Sequence, residues 1–321
     1  MKQKAPSLLL LLLQGYGTIP LVQPHGGLNV SLTELEKLIE PSTGFLANTK
    51  EFDAAKAVIL GVPMDYTVSF RPGSRLGPER VREVSYGMEE YSFYLDRSLF
   101  DRRYYDAGDL GLPIGNVPAS LEIIRDAVRS VLAASKMPFA LGGEHLVSWP
   151  IIQAMAEKYP NLAVVHFDAH ADLRADYLGE PYSHATVMRR VAELIGPRNL
   201  YQFGIRSGSR EERKFAEAHT NMFFNQIHPA LSQALPELRK RPVYVSLDID
   251  VVDPAFAPGT GTPEPGGCTS WDIIQAIHIL GQCRVVGFDL VEVSPALDLA
   301  QITAILAAKI MREALLSFMP E

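Results

Sequence analysis

Cysteine is scarce: Cys268 and Cys283 are the only two in 321 residues. Two thiols make neither a disulfide framework nor a four-thiolate zinc site, and such usage fits a reducing, cytoplasmic setting. Cys268 follows a Gly-Gly pair and reads as an inert small side chain. Cationic charge is not in excess either. Lys and Arg total 30 against 37 Asp and Glu, a formal net charge of −7. No basic surplus is available to follow nucleic-acid phosphates, so the balance argues against nucleic-acid binding and suits a small cationic partner. The apolar run Leu8–Leu13, preceded by Lys2 and Lys4, falls far short of the ~20 residues that span a bilayer. No small-x-small cleavage site follows it; Gln14, Gly15 and Tyr16 come next. No membrane role is expected, and residues 1–50 read as an N-terminal arm or packed extension ahead of one domain over 51–321. There is no Gly-x-Gly-x-x-Gly phosphate cradle after a strand, no internal repeat and no long linker.

What remains is ordinary globular material, with 47% apolar and 21% charged residues. From Ala57 onward, short apolar runs alternate with helical patterns. The runs Ala57–Val62, Phe139–Gly142, Leu162–Phe167, Leu200–Gly204, Val243–Leu247 and Val285–Asp289 are almost continuously apolar, as strands covered on both faces should be. Helices are expected over Pro78–Tyr86, Ala119–Ser135, Val147–Tyr159, His184–Ile195, Arg210–His219, Ser270–Leu280 and Leu299–Leu316. Ser209-Arg-Glu-Glu forms a capping box, and Thr269 or Ser270 can cap the next helix. The alternation specifies an α/β fold: a three-layer αβα sandwich on a mostly parallel sheet.

The polar residues sit where these strands end. Phe139–Gly142 runs into Glu144-His145, Leu162–Phe167 into Asp168-Ala-His170-Ala-Asp172, and Val243–Leu247 into Asp248-Ile-Asp250. Ligands of open α/β sheets bind at the carboxyl ends of the strands, so residues distant in sequence can converge there. If Asp168–Asp172 stayed extended, its end α-carbons would lie ~13 Å apart. One ion could not hold all three polar residues; either the chain bends after Asp168 or there are two ions. Asp168, Asp172, Asp248 and Asp250 at one edge would repel one another, and some would take up protons unless cations were present. A set of four carboxylates, His145 and His170, without thiolate, favours manganese or magnesium over structural zinc, and the two histidines tip the choice to manganese, although zinc, cobalt and nickel bind similar sites. Asp253-Pro254 reads as a turn.

These residues resemble the ureohydrolases, the arginase and agmatinase family of binuclear manganese enzymes. The likeness lies in Gly142-Gly-Glu-His145, Asp168-Ala-His-Ala-Asp172, Ser246-Leu-Asp-Ile-Asp250 and Gly287-Phe-Asp-Leu-Val-Glu292, and covers about Ala57 to Leu316. It implies an arginase-like fold, two Mn²⁺ per subunit and a homo-trimer or homo-hexamer. It also implies that His145, Asp168, Asp172 and Asp248 bind one ion and Asp168, His170, Asp248 and Asp250 the other, with Asp168 and Asp248 bridging. His184 then occupies the place of the proton-shuttling histidine, Glu292 that of the acid gripping the substrate guanidinium, and Asp250 can also hydrogen-bond the nucleophile. Within the family the loop Asp253–Gly267, with Glu264-Pro265, looks like the agmatinase form. Arginases carry an Asn and a Ser after the metal-binding Asp that read the amino-acid carboxylate; here Asp172 is followed by Leu173-Arg-Ala-Asp-Tyr177. The implied reaction is hydrolysis of agmatine to putrescine and urea. Arginine, guanidinobutyrate, guanidinopropionate and formiminoglutamate are the alternative substrates, and a silent binding protein of the same fold is the alternative class. Glu264 is expected either to face the distal ammonium or to be a solvated loop acid, and Arg174 to form an outward structural ion pair.

Overall fold

The computed structural model describes residues 32–40 and 42–320. The run Leu8–Leu13 lies outside the described residues. Among the described residues the strands are β1 (Ile39–Glu40), β2 (Ala57–Val62), β3 (Tyr91–Ser92), β4 (Arg97–Ser98), β5 (Tyr104–Leu110), β6 (Met137–Gly142), β7 (Ala163–Phe167), β8 (Leu200–Phe203), β9 (Asn221–Phe223), β10 (Pro242–Asp248) and β11 (Arg284–Val291). The helices are α1 (Leu32–Glu36), α2 (Gly77–Ser85), α3 (Val117–Ala133), α4 (Ser148–Lys158), α5 (Val187–Ile195), α6 (Arg210–His219), α7 (His228–Leu238), α8 (Ser270–Leu280) and α9 (Ile302–Phe318). Nine strands form one sheet in the order β1-β5-β2-β6-β11-β10-β7-β8-β9. Every pairing in it is parallel except β1 with β5. β3 and β4 make a separate hairpin.

Alternating residues of each strand feed two apolar layers. Ala57 and Ile59 of β2 belong to the layer that also holds α2, α7, α8 and α9, whereas Val58, Leu60 and Val62 belong to the layer that holds α3, α4 and α5. Both faces are buried, which is why these strands read as unbroken apolar runs rather than alternating ones. Ser209 caps α6 and Thr269 caps α8, each through a reciprocal capping box. No helix among the described residues is long and apolar enough to cross a membrane.

Two sizeable elements escape the apolar-run criterion. β5, Tyr-Tyr-Asp-Ala-Gly-Asp-Leu, carries Asp106 and Asp109 because both take hydrogen bonds from the fully buried Arg82 of α2. α7 contains Pro229 in its first turn and Pro236 inside, two residues that ordinarily argue against a helix. The expected helix over His184–Ile195 splits into a tight turn, His184–Thr186, followed by α5.

The order β6-β11-β10-β7 places four strands side by side whose carboxyl ends carry the polar motifs. Asp248, at the end of β10, is in register with Val291 of β11, and Leu247 with Phe167 of β7. Motifs more than a hundred residues apart thus meet along one sheet edge. Gly143 is needed where β6 ends. A Cβ there would collide with the carbonyl oxygen of Met64, while its own carbonyl accepts the Glu292 amide at 2.8 Å. Gly143→Ala should lower stability by about 1–3 kcal/mol in chemical denaturation, the usual effect of forcing a methyl into a packed interior; an unchanged midpoint would show that the loop can yield.

Candidate active site

Asp168 follows β7 directly, and there the chain leaves the strand. The His170 amide donates to Asp168 Oδ1 (2.5 Å), and Asp172 adopts a left-handed φ of 54°. The bend that an extended reading could not accommodate is therefore present, and it brings Asp168 and Asp172 to one point. That point is His145 Nδ1, which lies 3.0 Å from Asp168 Oδ2, 3.2 Å from Asp172 Oδ2 and 3.3 Å from Asp248 Oδ2. His170 Nδ1 meets Asp250 Oδ2 at 2.9 Å and Asp168 Oδ1 at 3.6 Å. The donor atoms fall into two groups sharing Asp168: His145, His166, Asp168 and Asp172, and Asp168, His170 and Asp250. Asp248 adjoins the first group through Oδ2, and its Oδ1 accepts the Asp250 amide at 2.9 Å. All six sequence-derived ligands are thus brought together.

Their charges explain what they can hold. Burial, then the neighbouring Asp168, pushes Asp172 up to about 7. Burial and the adjacent Asp250 and Asp168 raise Asp248, and burial with Asp168 raises Asp250. Asp168 is the exception: burial opposes it, yet His166, His145 and His170 pull it well below the ordinary carboxylate range. Without a cation the four acids cannot all be ionised together. His145 gives the sharpest test of fit. Its Nε2 is 3.0 Å from Ser246 Oγ, and Ser246 donates in turn to Asp289 Oδ1 at 2.8 Å. That leaves Nδ1 buried, with no hydrogen-bond partner of acceptable geometry although three carboxylate oxygens surround it. Burial opposes a charge on this ring, yet Asp168, Asp172 and Asp248 hold its pKa well above the ordinary value. A nitrogen ringed by three carboxylate oxygens is a place for a cation, a proton in the metal-free protein or a metal in its stead, and the residues present fit divalent ions.

Glu292 and His184 border the same cavity of about 250 Å³. Glu292 has a left-handed φ of 64°, which turns it off the end of β11; its Oε1 accepts the His145 amide at 2.8 Å. Burial, reinforced by Glu144, pushes its pKa up to about 8. His184 is clamped from both sides: its amide donates to Thr67 Oγ1 (3.0 Å), and Nε2 lies 3.2 Å from Ser69 Oγ. Thr67 donates to Glu144 Oε2 (2.5 Å), and Glu144 also accepts the Tyr66 and Thr67 amides. Burial lowers the His184 pKa to about 4, so the ring is neutral near pH 7.

The structure decides between the two readings of Glu264 and changes the expectation for Arg174. The carbonyl of Glu264 is pinned by Arg206 (3.1 and 2.7 Å), which also holds the carbonyls of Asp250 and Val251. With its backbone drawn to that anchor, Glu264 is not among the residues lining the cavity; Thr262 is the member of this loop that reaches it. Arg174 does form an ion pair, with Glu212 at 3.6 Å, but both line the cavity rather than point outward. The reason is that Glu212 caps α6 directly beyond β8, where it also accepts the Leu173 amide (3.0 Å). Asp253 is the expected turn residue, accepting the amides of Ala255, Gly266 and Gly267. Burial pushes the Cys268 thiol up to about 12, consistent with an inert side chain. Sequence reasoning gave no site role to His166, Gln202, Glu144 or Glu212. The first two sit within apolar runs and look like core; Glu212 looks like a helix cap and nothing more.

This constellation on this sheet defines a metal-dependent hydrolase, and residues 55–317 match the model of the arginase family. The chain belongs to that family. It is 54% identical over 279 residues to the agmatinase of Bacillus subtilis, covering 85% of this chain and 96% of that protein. It is 53% identical over 277 residues to the agmatinase of Bacillus cereus, with the same coverages of 85% and 96%. The agmatine ureohydrolase of Thermoplasma volcanium superposes with a TM-score of 0.77 at 31% identity, over 89% of this chain and 97% of that one.

Metal loading must displace protons from the metal-free cluster, where the pKa values of Asp172, Asp248 and His145 are all raised. Titrating divalent metal into metal-free protein near pH 7 should release protons, so the calorimetric enthalpy should track the ionisation enthalpy of the buffer. A buffer-independent enthalpy would show that the acids are already ionised.

Proposed function

We propose that this chain is an agmatinase that holds two Mn²⁺ and hydrolyses agmatine to putrescine and urea. The observation that carries the reading is His145 Nδ1, partnerless and buried among oxygens of Asp168, Asp172 and Asp248. Relatives named agmatinase at 52–54% identity support the choice of substrate. In this reading His145, Asp168, Asp172 and Asp248 would hold one ion and Asp168, His170, Asp248 and Asp250 the other, with Asp168 and Asp248 shared between them. The donor set of carboxylates with two imidazoles favours manganese.

When bound, such an ion pair supplies an acidified water as nucleophile and Lewis-acid stabilisation of developing negative charge. The chain's own residues do the rest. Glu292 receives the guanidinium: its carboxylate lines the cavity while the His145 amide fixes one oxygen, and the substrate's positive charge keeps it ionised. His184, neutral and clamped by Thr67 and Ser69, accepts a proton and delivers it to the departing amine. Asp250 orients the attacking oxygen, and the turn from Ala169, whose amide donates to Asp250 Oδ1 at 3.0 Å, keeps that carboxylate in place. Arg174 is engaged by Glu212, so arginine's carboxylate finds no equivalent of the Asn and Ser readers that arginases use. We further place residues 51–321 in one catalytic domain with 1–50 as an extension, in a cytoplasmic homo-trimer or homo-hexamer.

Urea release from a panel of guanidino compounds by manganese-loaded protein tests the reading. Agmatine should exceed arginine by at least ~100-fold in kcat/KM, because a site that leaves a substrate charge unpaired discriminates strongly. Equal values would overturn the choice of substrate but not the hydrolase, and no urea from any compound would overturn both. Asp248→Ala should lose both ions in metal analysis; two-ion occupancy in that variant would reject the bridging assignment. His184→Asn should keep both ions and lose ~10²–10⁴-fold in kcat. An unchanged kcat with chemistry rate-limiting would remove His184 from the mechanism.

A further inference from the structure

His166 is a fully buried histidine inside β7, two residues before Asp168. Its Nε2 lies 2.8 Å from Asp168 Oδ2, within the same cluster of donor atoms as His145 and Asp172. By position alone it could be a further metal ligand. The other ring nitrogen decides the matter. His166 Nδ1 is 3.1 Å from Nε2 of Gln202, a buried residue of the neighbouring β8. The same Gln202 nitrogen is 2.8 Å from the carbonyl oxygen of Ala171. A carbonyl oxygen only accepts, so the Gln202 NH₂ group must face this way, with one hydrogen on Ala171 and the other on His166 Nδ1. On the far side, Thr220 Oγ1 donates to Gln202 Oε1 at 3.5 Å, in keeping with that orientation. An Nδ1 that accepts is bare, which puts the ring's proton on Nε2. Nε2–H therefore donates to Asp168 and is not available to a metal.

We propose that His166, oriented by Gln202, is a positioning residue that aims the shared carboxylate Asp168 at the metals and is not itself a ligand. The inference rests on the reading of Asp168 as a bridge. Asp168 is held at both oxygens, Oδ2 by His166 and Oδ1 by the His170 amide, so the carboxylate plane cannot swing away from either group of donors. Gln202 secures the opposite end of the same segment, because Ala171 precedes Asp172. One side chain of β8 thus ties the bend between two ligands to the sheet. Partners of metal ligands of this kind typically change metal affinity by about 10–100-fold when removed.

The test is Mn²⁺ retention, read as metal content after equilibrium dialysis, with melting of each metal-free variant to register changes in folding. His166→Phe keeps the ring and removes the N–H, and should bind Mn²⁺ about 10–100-fold more weakly. His166→Gln, whose terminal amide N–H reaches a similar place, should recover to within roughly threefold of the unmutated protein, since it restores the donor. Gln202→Leu should weaken retention in the same direction by several-fold, and combined with His166→Phe it should cost clearly less than the sum of the two single losses, because the His166 contact is shared and only the Ala171 contact is Gln202's own. Unchanged retention in His166→Phe overturns the proposal. So does His166→Gln binding as weakly as His166→Phe, which would make the imidazole itself the ligand, or additive losses in the double variant. If His166→Phe does not fold, His166→Gln and Gln202→Leu decide: a tight first and a weak second support the relay, and the reverse overturns it. Asp168→Ala separates the two levels. Metal lost there but kept in His166→Phe leaves the bridge standing and removes the relay, whereas full occupancy in Asp168→Ala removes the bridge.

Discussion

Four carboxylates buried around two imidazoles at one sheet edge are the constraint on which the rest of the structure depends. In water such acids ionise freely; taken out of water and packed within hydrogen-bond distance of each other's partners, they cannot. The metal-free cluster answers by raising the pKa values of Asp172, Asp248 and Asp250 while the histidines hold Asp168 well below the ordinary carboxylate range. Metal cations would remove the conflict, and the donor atoms already converge on places that could hold them. In the proposed reading such ions would also supply the hydrolytic nucleophile, so the feature that strains the metal-free fold is the one that would make the site catalytic.

The fold keeps these groups in place by carrying hydrogen-bond chains from the sheet into the site. Tyr244 and Ser246 of β10 both donate to Asp289 of β11, and Ser246 meets His145. Gln202 of β8 reaches His166 and the turn between Asp168 and Asp172. Glu144 gathers the Tyr66–Thr67 turn, which in turn holds His184. Each chain starts on rigid backbone and ends on a group assigned to chemistry. The two left-handed non-glycine residues at the site, Asp172 and Glu292, are where this scaffolding bends the chain away from its preferred geometry.

Much of this was legible in the sequence, for a physical reason. Strands buried on both faces must be apolar along their length, so a polar residue at the point where the run stops is conspicuous, and Asp168, Asp248 and His145 all stand there. Central strands such as β2 and β7 were visible by the same rule. β5 was not, because its acids serve Arg82 and break the apolar run; α7 was not, because Pro229 and Pro236 contradict local propensity while its Ala and Leu residues still pack in the core. His166 and Gln202 were hidden in the opposite way. Each is a polar residue in the middle of an apolar strand, and only the spatial neighbour across the sheet reveals its task. Glu264 shows the limit of motif reading, since its loop was recognised but the direction of its backbone is set by Arg206, far away in sequence.

Crystals grown with Mn²⁺ and measured on both sides of the manganese absorption edge test the central claim most directly. The account expects two anomalous peaks per chain at the ends of β7 and β10, with Asp168 and Asp248 contacting both and His166 contacting neither. A single peak, or two peaks not sharing those carboxylates, would contradict it.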